Sequence, residues 1–323
     1  MYEEGVGQMA EKMRIIILLS CLLLLDASVV LTRWVLYDEK KEYASFLREN
    51  REEIEGLGFE KRQDLTLPFT IQQGKESPRP AVADVPPQGK EALKRLSWWY
   101  RSNLEHEPVW AEQSLKELLA DYGGIYQGDA NSKKIYLTFD AGYENGYTGQ
   151  ILDILQKHKV KAAFFITGHY LRKNPDLVKR MVSEGHIIGN HTVNHPAMWS
   201  LTEKDLCREI EELAREFKKL TNQEMAPFLR PPMGEFSPQS LWQTAKLGYY
   251  TVLWSFAYRD WDVKVQRGPD FAHQQVMKYH HPGAVLLLHA VSPDNALALD
   301  NIIRDLKKEG YDFRTLYEIV GAE

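Results

Sequence analysis

From Lys134 to the C-terminus, short apolar runs alternate with stretches of helical period. The first run, Ile135–Phe139, is continuous rather than alternating, as in a parallel strand buried on both faces. A helical stretch follows around Gly149–His158, then a strand at Ala162–Ile166, a helix at Pro175–Gly185 and a short strand at Ile187–Asn190. Thr202 and Asp205 have the spacing of a capping box opening a long helix that runs to about Leu220. Phe228-Leu229 comes next, then a helix over Ser237–Leu247, a strand over Tyr249–Phe256 and a helix over Pro269–Tyr279. Ala284–His289 reads as a strand, Asn295–Gly310 as a helix, and Asp312–Phe313 as a last short strand. Upstream, Glu112–Tyr122 reads as a helix with Leu115, Leu118 and Leu119 on one face. Strand and helix in repeated alternation specify an α/β fold with a parallel sheet. The expected architecture is an irregular (β/α) barrel of about seven strands. An open doubly wound sheet is the alternative, weakened because no dinucleotide fingerprint follows the first strand.

The pattern upstream of residue 96 differs. Arg14 precedes an apolar core at Ile15–Leu25, and Asp26 with small residues follows it. Residues 1–33 are therefore expected to act as a signal peptide or membrane anchor, exporting the chain to the cell envelope. Glu3, Glu4 and Glu11 are unusual ahead of such a core, which makes Met9 or Met13 an alternative start. Residues 34–95 combine a charged segment with a Pro-rich, Gly-rich linker, so a catalytic domain is expected over 96–323. Membrane contact is expected only through the N-terminal segment. Trp98-Trp99-Tyr100 opens the domain with aromatics whose first expected role is packing, and lining a sugar site the second.

Composition changes this picture little. The 323 residues are 44% hydrophobic and 26% charged, as in ordinary globular proteins. A net charge of −5 speaks against a nucleic-acid partner. The two cysteines, Cys21 and Cys207, make neither a disulfide framework nor a cysteine-based zinc site.

Candidate chemistry collects at the strand exits. Asp140 ends the first run and is followed by Ala141, Gly142 and Gly146. His191 follows Ile187–Asn190, and His195 comes four residues later. Arg230 follows Phe228-Leu229, Asp260 and Trp261 follow Tyr249–Phe256, and His289 ends Ala284–His289. In a barrel these exits share one face, where chemistry is built. The i, i+4 spacing of His191 and His195, on a helical turn, puts both imidazoles within reach of one divalent metal ion. Zinc suits imidazole ligands; a divalent ion with more oxygen ligands, such as cobalt or manganese, is the alternative. Asp140 is then the candidate base and His289 the candidate acid. Arg230 would hold a carboxylate ionised and oriented, and Asp260 would hold Arg230. This set suits metal-assisted hydrolysis of an amide or ester.

Together these residues resemble the polysaccharide deacetylases, the NodB-homology family also called carbohydrate esterase family four. The motifs, in order, are TFDAG at Thr138–Gly142, HTVNH at His191–His195, RPPMG at Arg230–Gly234, RDW at Arg259–Trp261 and LLLH at Leu286–His289. The resemblance covers about Lys134 to Val320 and implies a distorted barrel and metal-dependent N-deacetylation. On the motif positions it implies catalytic Asp140, His289, Arg230 and Asp260, metal ligands His191 and His195, and substrate contacts at Gly142, Tyr143, Pro231 and Trp261. Within the family the chain is most similar to the sporulation-type members, through TFDAGYENG, GHIIGNHTVNHP and HAVSPDNALALDNII. Those act on N-acetylmuramic acid in peptidoglycan and lead to the muramic δ-lactam of spore cortex, after a muramoyl-L-alanine amidase has stripped the stem peptide. The departure is Ala141, where the general family has a ligating Asp and the δ-lactam subgroup typically Asn.

Two function classes follow. One is an N-acetylmuramic acid deacetylase acting on the glycan strand, with an N-acetylglucosamine deacetylase of peptidoglycan or chitin-like oligomers as its runner-up. The other is a glycan-binding pseudo-deacetylase in which Ala141 has broken the metal site. The presence of Asp140, Arg230 and His289 together favours the enzyme. Tyr143, Trp199 and Trp261 are candidate sugar-stacking aromatics.

Overall fold

The parallel sheet curls so that the C-terminal ends of its strands share one rim. The structure is a computed structural model and describes residues 78–80, 82 and 85–322. The expected signal peptide or anchor, Cys21 and most of the charged segment and linker lie outside the described residues. In chain order the strands are β1 Leu96–Ser97, β2 Gly124–Ile125, β3 Lys134–Ala141, β4 Ala163–Ile166, β5 Ile187–Asn190, β6 Phe228–Leu229, β7 Glu235–Phe236, β8 Tyr250–Val252, β9 Ala284–His289 and β10 Asp312–Phe313. Hydrogen-bonded neighbours run β2-β8-β6-β5-β4-β3-β9, each pair parallel. β10 lies beside Lys134 and Ile135 at the start of β3, and β1 pairs with β7 as a separate antiparallel ribbon.

The two edges of the curl meet along a seam. The strand expected over Tyr249–Phe256 stays in the ladder only through Val252, because the chain then crosses from β8 to β9. Ser255 and Phe256 donate their N–H groups to the Val285 carbonyl, and the Leu287 N–H donates to Phe256. This crossing makes the sheet an irregular barrel rather than an open sheet.

Alternation along β3 separates two cores. Leu137, Phe139 and Ala141 join Phe164, Ile166, Leu286 and Leu288 beneath the helices. Tyr136 joins Phe165, Phe228, Val252 and Val285 inside the barrel. Asp140 shares the inner face with Tyr136 and therefore emerges at the mouth. The helices covering the outside include Thr148–His158, Pro175–Ser183, Pro269–Tyr279 and Pro293–Lys308. The Thr202 hydroxyl caps Glu203–Thr221 by accepting from the Asp205 N–H, and it donates to the Asp205 carboxylate. A helix that periodicity is too short to reveal, Gly168–Lys173, follows its own Thr167 cap. Ordered structure also starts ahead of residue 96, with buried Pro80 and a helix at Gly89–Ala92. Among the described residues no helix is long and apolar enough to cross a membrane.

Candidate active site

The barrel mouth opens into a cleft of about 790 Å³ lined by Asp140, His191, His195 and His289. Register puts Asp140 and His289 directly opposite each other on β3 and β9.

Arg230, at the end of β6, lies beneath them and is 0% exposed. Its Nη1 donates to Asp140 Oδ1 at 2.8 Å, and its Nε and Nη2 donate to the carbonyls of Val252 and Leu253. Its guanidinium sits 4.2 Å from the centroid of the Phe165 ring and 5.7 Å from that of Trp254. A planar cation with several donors fits this position, where the compact ammonium of Lys would not. Burial alone would raise the Asp140 carboxyl. The Arg230 charge, followed by those of His191 and His289, overcomes burial and holds it below the usual carboxylate range. Asp140 is therefore ionised at neutral pH.

Asp260 does not hold Arg230 as expected. It is 2% exposed and pairs with His289 instead. The segment after β8 folds over the end of β9. There Asp260 Oδ1 accepts from His289 Nδ1 at 2.7 Å, and Oδ2 accepts from the His289 backbone N–H at 2.8 Å. Asn295 Nδ2 also donates to Oδ2, at 2.6 Å, and the Tyr258 hydroxyl donates to Asn295 Oδ1. Burial opposes charge on His289, but the Asp260 carboxylate and its hydrogen bond, helped by Asp140, raise its pKa above the ordinary value. One site thus holds an ionised carboxylate beside an imidazole biased toward its protonated form, an arrangement that separates base from acid.

His191 and His195 do not lie on a helical turn. The loop after β5 contains two left-handed residues, Thr192 (φ 65) and His195 (φ 58). Side chains hold this shape: Asn190 Oδ1 accepts from the Thr192 N–H, and Thr192 Oγ1 accepts from the His195 N–H. The buried Glu209 carboxylate accepts from the N–H and side-chain amide of Asn194. The two imidazoles still end side by side, centroids 4.8 Å apart and nearly perpendicular. His191 Nδ1 donates to the Arg230 carbonyl at 2.8 Å, which leaves Nε2 with a lone pair at the cleft, 3.6 Å from Asp140 Oδ2. A backbone carbonyl fixing the tautomer in this way is the usual support of a metal-binding histidine. Burial lowers the His191 pKa to about 4, so the ring is neutral and able to ligate at neutral pH. Among the described residues no cluster of three or more His, Cys, Asp or Glu could hold a metal. Ala141 packs in the outer core and offers no donor. The donor set that fits a metal is therefore two imidazoles.

Gly142, Tyr143, Pro231 and Trp261 all line the cleft. A Cβ at Gly142 would meet nothing, so packing does not demand glycine there. Gly234 (φ 65) is required: a Cβ there would come within 2.7 Å of the Trp254 ring. Trp199 is not part of the lining; its indole N–H donates to Glu235 and its ring lies under Arg95.

The sequence profile described as polysaccharide deacetylase matches residues 127–252. The Bacillus subtilis peptidoglycan-N-acetylmuramic acid deacetylase PdaA is 44% identical over 225 residues, which span 70% of this chain and 86% of that protein. The chain belongs to the polysaccharide deacetylase family. The solved PdaA structure, a family 4 carbohydrate esterase, matches with a TM-score of 0.70 over 71% of this chain and 98% of that one. A family 4 carbohydrate esterase from Bacillus anthracis, 42% identical, matches with a TM-score of 0.62 over 73% of this chain and all of that one. A third structure, 32% identical with a TM-score of 0.58 over 62% of this chain and 69% of that one, is a family 4 pseudoenzyme from Bacillus anthracis. A mutant of that pseudoenzyme has restored activity. This polysaccharide deacetylase is thus a hydrolase of amide bonds in polysaccharide, in a family that is generally metal-dependent.

Several side chains that shape the deacetylase site escape sequence reasoning. Asn295 carries a signal: it is the third residue of a helix opened by Ser292 and Pro293, so its side chain returns toward His289. Glu209, Phe165 and Trp254 carry none, since each looks like an ordinary helix or strand residue until the chain is folded.

Proposed function

We propose that this deacetylase removes the N-acetyl group of N-acetylmuramic acid in peptidoglycan, on glycan already stripped of stem peptide by a muramoyl-L-alanine amidase. Its product would lead to the muramic δ-lactam of spore cortex. The observation that carries the chemistry is the Asp140–His289 pair, adjacent across β3 and β9 and biased to opposite protonation states. The muramic acid assignment rests on the likeness to PdaA, whose name states that substrate. Action at the cell wall places the enzyme outside the cytoplasm, carried there by residues 1–33.

Asp140 takes a proton from the attacking water, and Arg230 keeps it ionised and aimed. His289, oriented by Asp260 and Asn295, gives its proton from Nε2 to the departing amine nitrogen. A divalent metal, zinc by the donor set, would be held by His191 and His195 and would polarise the acetamide carbonyl. Gly142, Tyr143, Pro231 and Trp261 would bound the sugar.

Acetate release by the full chain tests this reading on glycan strands with and without stem peptides, with zinc and with chelator. Zinc-dependent release from peptide-free strands alone is expected. Glycan binding without release from any strand would make the chain a pseudoenzyme.

Because His289 must be protonated, activity should fall as pH rises through its raised pKa, above about 6.5. Asp260→Asn removes the charge that raises it, so the falling limb of the kcat/KM profile should move to lower pH. A limb that stays in place would remove His289 from the role of acid.

The general family has a ligating Asp at this position, so Ala141→Asp should tighten zinc binding by roughly tenfold or more, its carboxylate turning at the end of β3 from the outer core toward the cleft. The new carboxylate enters a buried position, so the metal-free variant should melt lower than wild type and recover when zinc is added. Calorimetric titration and a thermal shift read both effects; unchanged zinc affinity would refute a two-histidine site short of one ligand.

A further inference from the structure

The extended segment Trp98–Arg101 divides its side chains between two sides. Trp98 and Tyr100 turn inward. The Trp98 indole donates to the Trp254 carbonyl at 2.8 Å, and the Tyr100 hydroxyl accepts from the Ala257 N–H at 2.8 Å. Trp254 and Ala257 both line the cleft, so this segment is tied to the cleft wall. Trp99 and Arg101 turn outward, where Trp110 joins them. Arg101 and Trp110 exchange backbone hydrogen bonds as an antiparallel bridge. The Trp99 and Trp110 rings lie 5.2 Å apart between centroids. The Arg101 guanidinium lies 4.8 Å from the Trp110 centroid and 5.8 Å from that of Trp99.

This cluster serves no core. Trp99 is 40% exposed and Trp110 50% exposed, whereas the packing role at the start of the domain falls to Trp98 and Tyr100. It is also held still. Asn103 accepts from the N–H groups of Glu105 and Glu107 and donates to the Glu107 carbonyl, and the His106 ring bonds the His280 carbonyl. Glu105 and Glu107 are the nearest acids along the loop, yet Arg101 has no ion pair with them or with any other acid among the described residues. Two half-exposed indoles, with a guanidinium over both rings that has no acid partner among the described residues, form a preorganised surface for a ligand that combines apolar faces with negative charge.

We propose that Trp99, Arg101 and Trp110 form a second glycan-binding platform, outside the cleft, that holds a peptidoglycan strand. The C–H faces of its pyranose rings would stack on the indoles, and the lactyl carboxylate of a muramic acid would pair with Arg101. The platform rests on the glycan reading given above. It explains why a segment built into the cleft wall presents aromatic residues away from the cleft: a polymer held there stays beside the catalytic mouth, and retention on long strands exceeds what the cleft alone supplies.

The test is co-sedimentation of the full chain with insoluble, peptide-free peptidoglycan glycan, with chitin, and with phosphatidylglycerol vesicles. Acetate release from short soluble oligomers is measured alongside. Trp99→Ala with Trp110→Ala should weaken retention on the glycan roughly tenfold, with release from short oligomers unchanged. Arg101→Gln should weaken retention on muramic acid glycan but not on chitin, which has no carboxylate. Trp110→Ala alone, at the more exposed ring, gives the same readout should the double variant fail to fold. Wild-type retention by a variant with an unchanged melting temperature overturns the platform. Loss of vesicle binding without loss of glycan binding also overturns it and assigns the cluster to a lipid surface. Tryptophan-dependent retention without acetate release from any strand leaves the platform standing and removes the deacetylase reading instead.

Discussion

Asp140→Asn is expected to lower acetate release by roughly a thousandfold, the span a positioned base supplies. The amide keeps the size of the carboxylate and can still accept from Arg230 Nη1, but it cannot take a proton from water. The same substitution leaves a fully buried guanidinium without its counter-charge, which should cost about 3 kcal/mol in urea unfolding at neutral pH. The sign of the pH dependence adds a second check. A carboxylate held below its usual range contributes stability above that range and loses it as pH falls through the depressed folded value. Wild type should therefore lose stability on acidification more steeply than Asp140→Asn. Zinc affinity should persist in the variant, because His191 and His195 keep their own supports. Activity within tenfold of wild type would remove Asp140 from the role of base.

Arg230→Lys, a change that keeps the charge, is expected to be nearly as damaging. An ammonium can reach Asp140 or the carbonyls of Val252 and Leu253, but it cannot reproduce the planar fork that serves all three. It also gives up the stack between Phe165 and Trp254. A loss of about 3 kcal/mol in unfolding free energy is expected, with a fall in kcat of a hundredfold or more as Asp140 loses its fixed partner. Wild-type stability in Arg230→Lys would show that the charge alone matters and that the fork does not.

The sequence reveals the rim of the site more fully than its interior. Each strand that ends in a reactive group is legible because a buried run stops at a polar side chain, as Phe139 gives way to Asp140 and Leu288 to His289. The helices with a strong apolar stripe, such as Glu203–Thr221, are legible for the same reason of period. Pairings across the barrel are not legible. Arg230 and Asp260 looked like partners because both follow strand exits and carry opposite charge. Which carboxylate reaches which cation depends on how the segment after β8 leaves the sheet, and that crossing has no local signature. The His191–His195 loop shows the same limit. Its i, i+4 spacing suggested a helical turn, while two left-handed residues and the Glu209 clamp reach the same side-by-side placement by another route. Trp99 reads in the sequence as one of three packing aromatics and Trp110 carries no signal, because aromatic composition does not say which rings remain uncovered.

The burial of Arg230 bears on how such a protein would change over generations. The guanidinium and Asp140 join β3, β6 and the end of β8, so selection for a folded chain preserves both whether or not any acetyl group is removed. Drift toward silence would proceed where replacement is cheap, as at position 141, where a methyl group fills its place in the outer core without loss. A descendant that had stopped turning over substrate would still carry the Asp140–Arg230 pair, retained by thermodynamics after chemistry had ceased to require it. His289, part-exposed at the mouth and outside the hydrophobic core, is the residue whose survival records continued use.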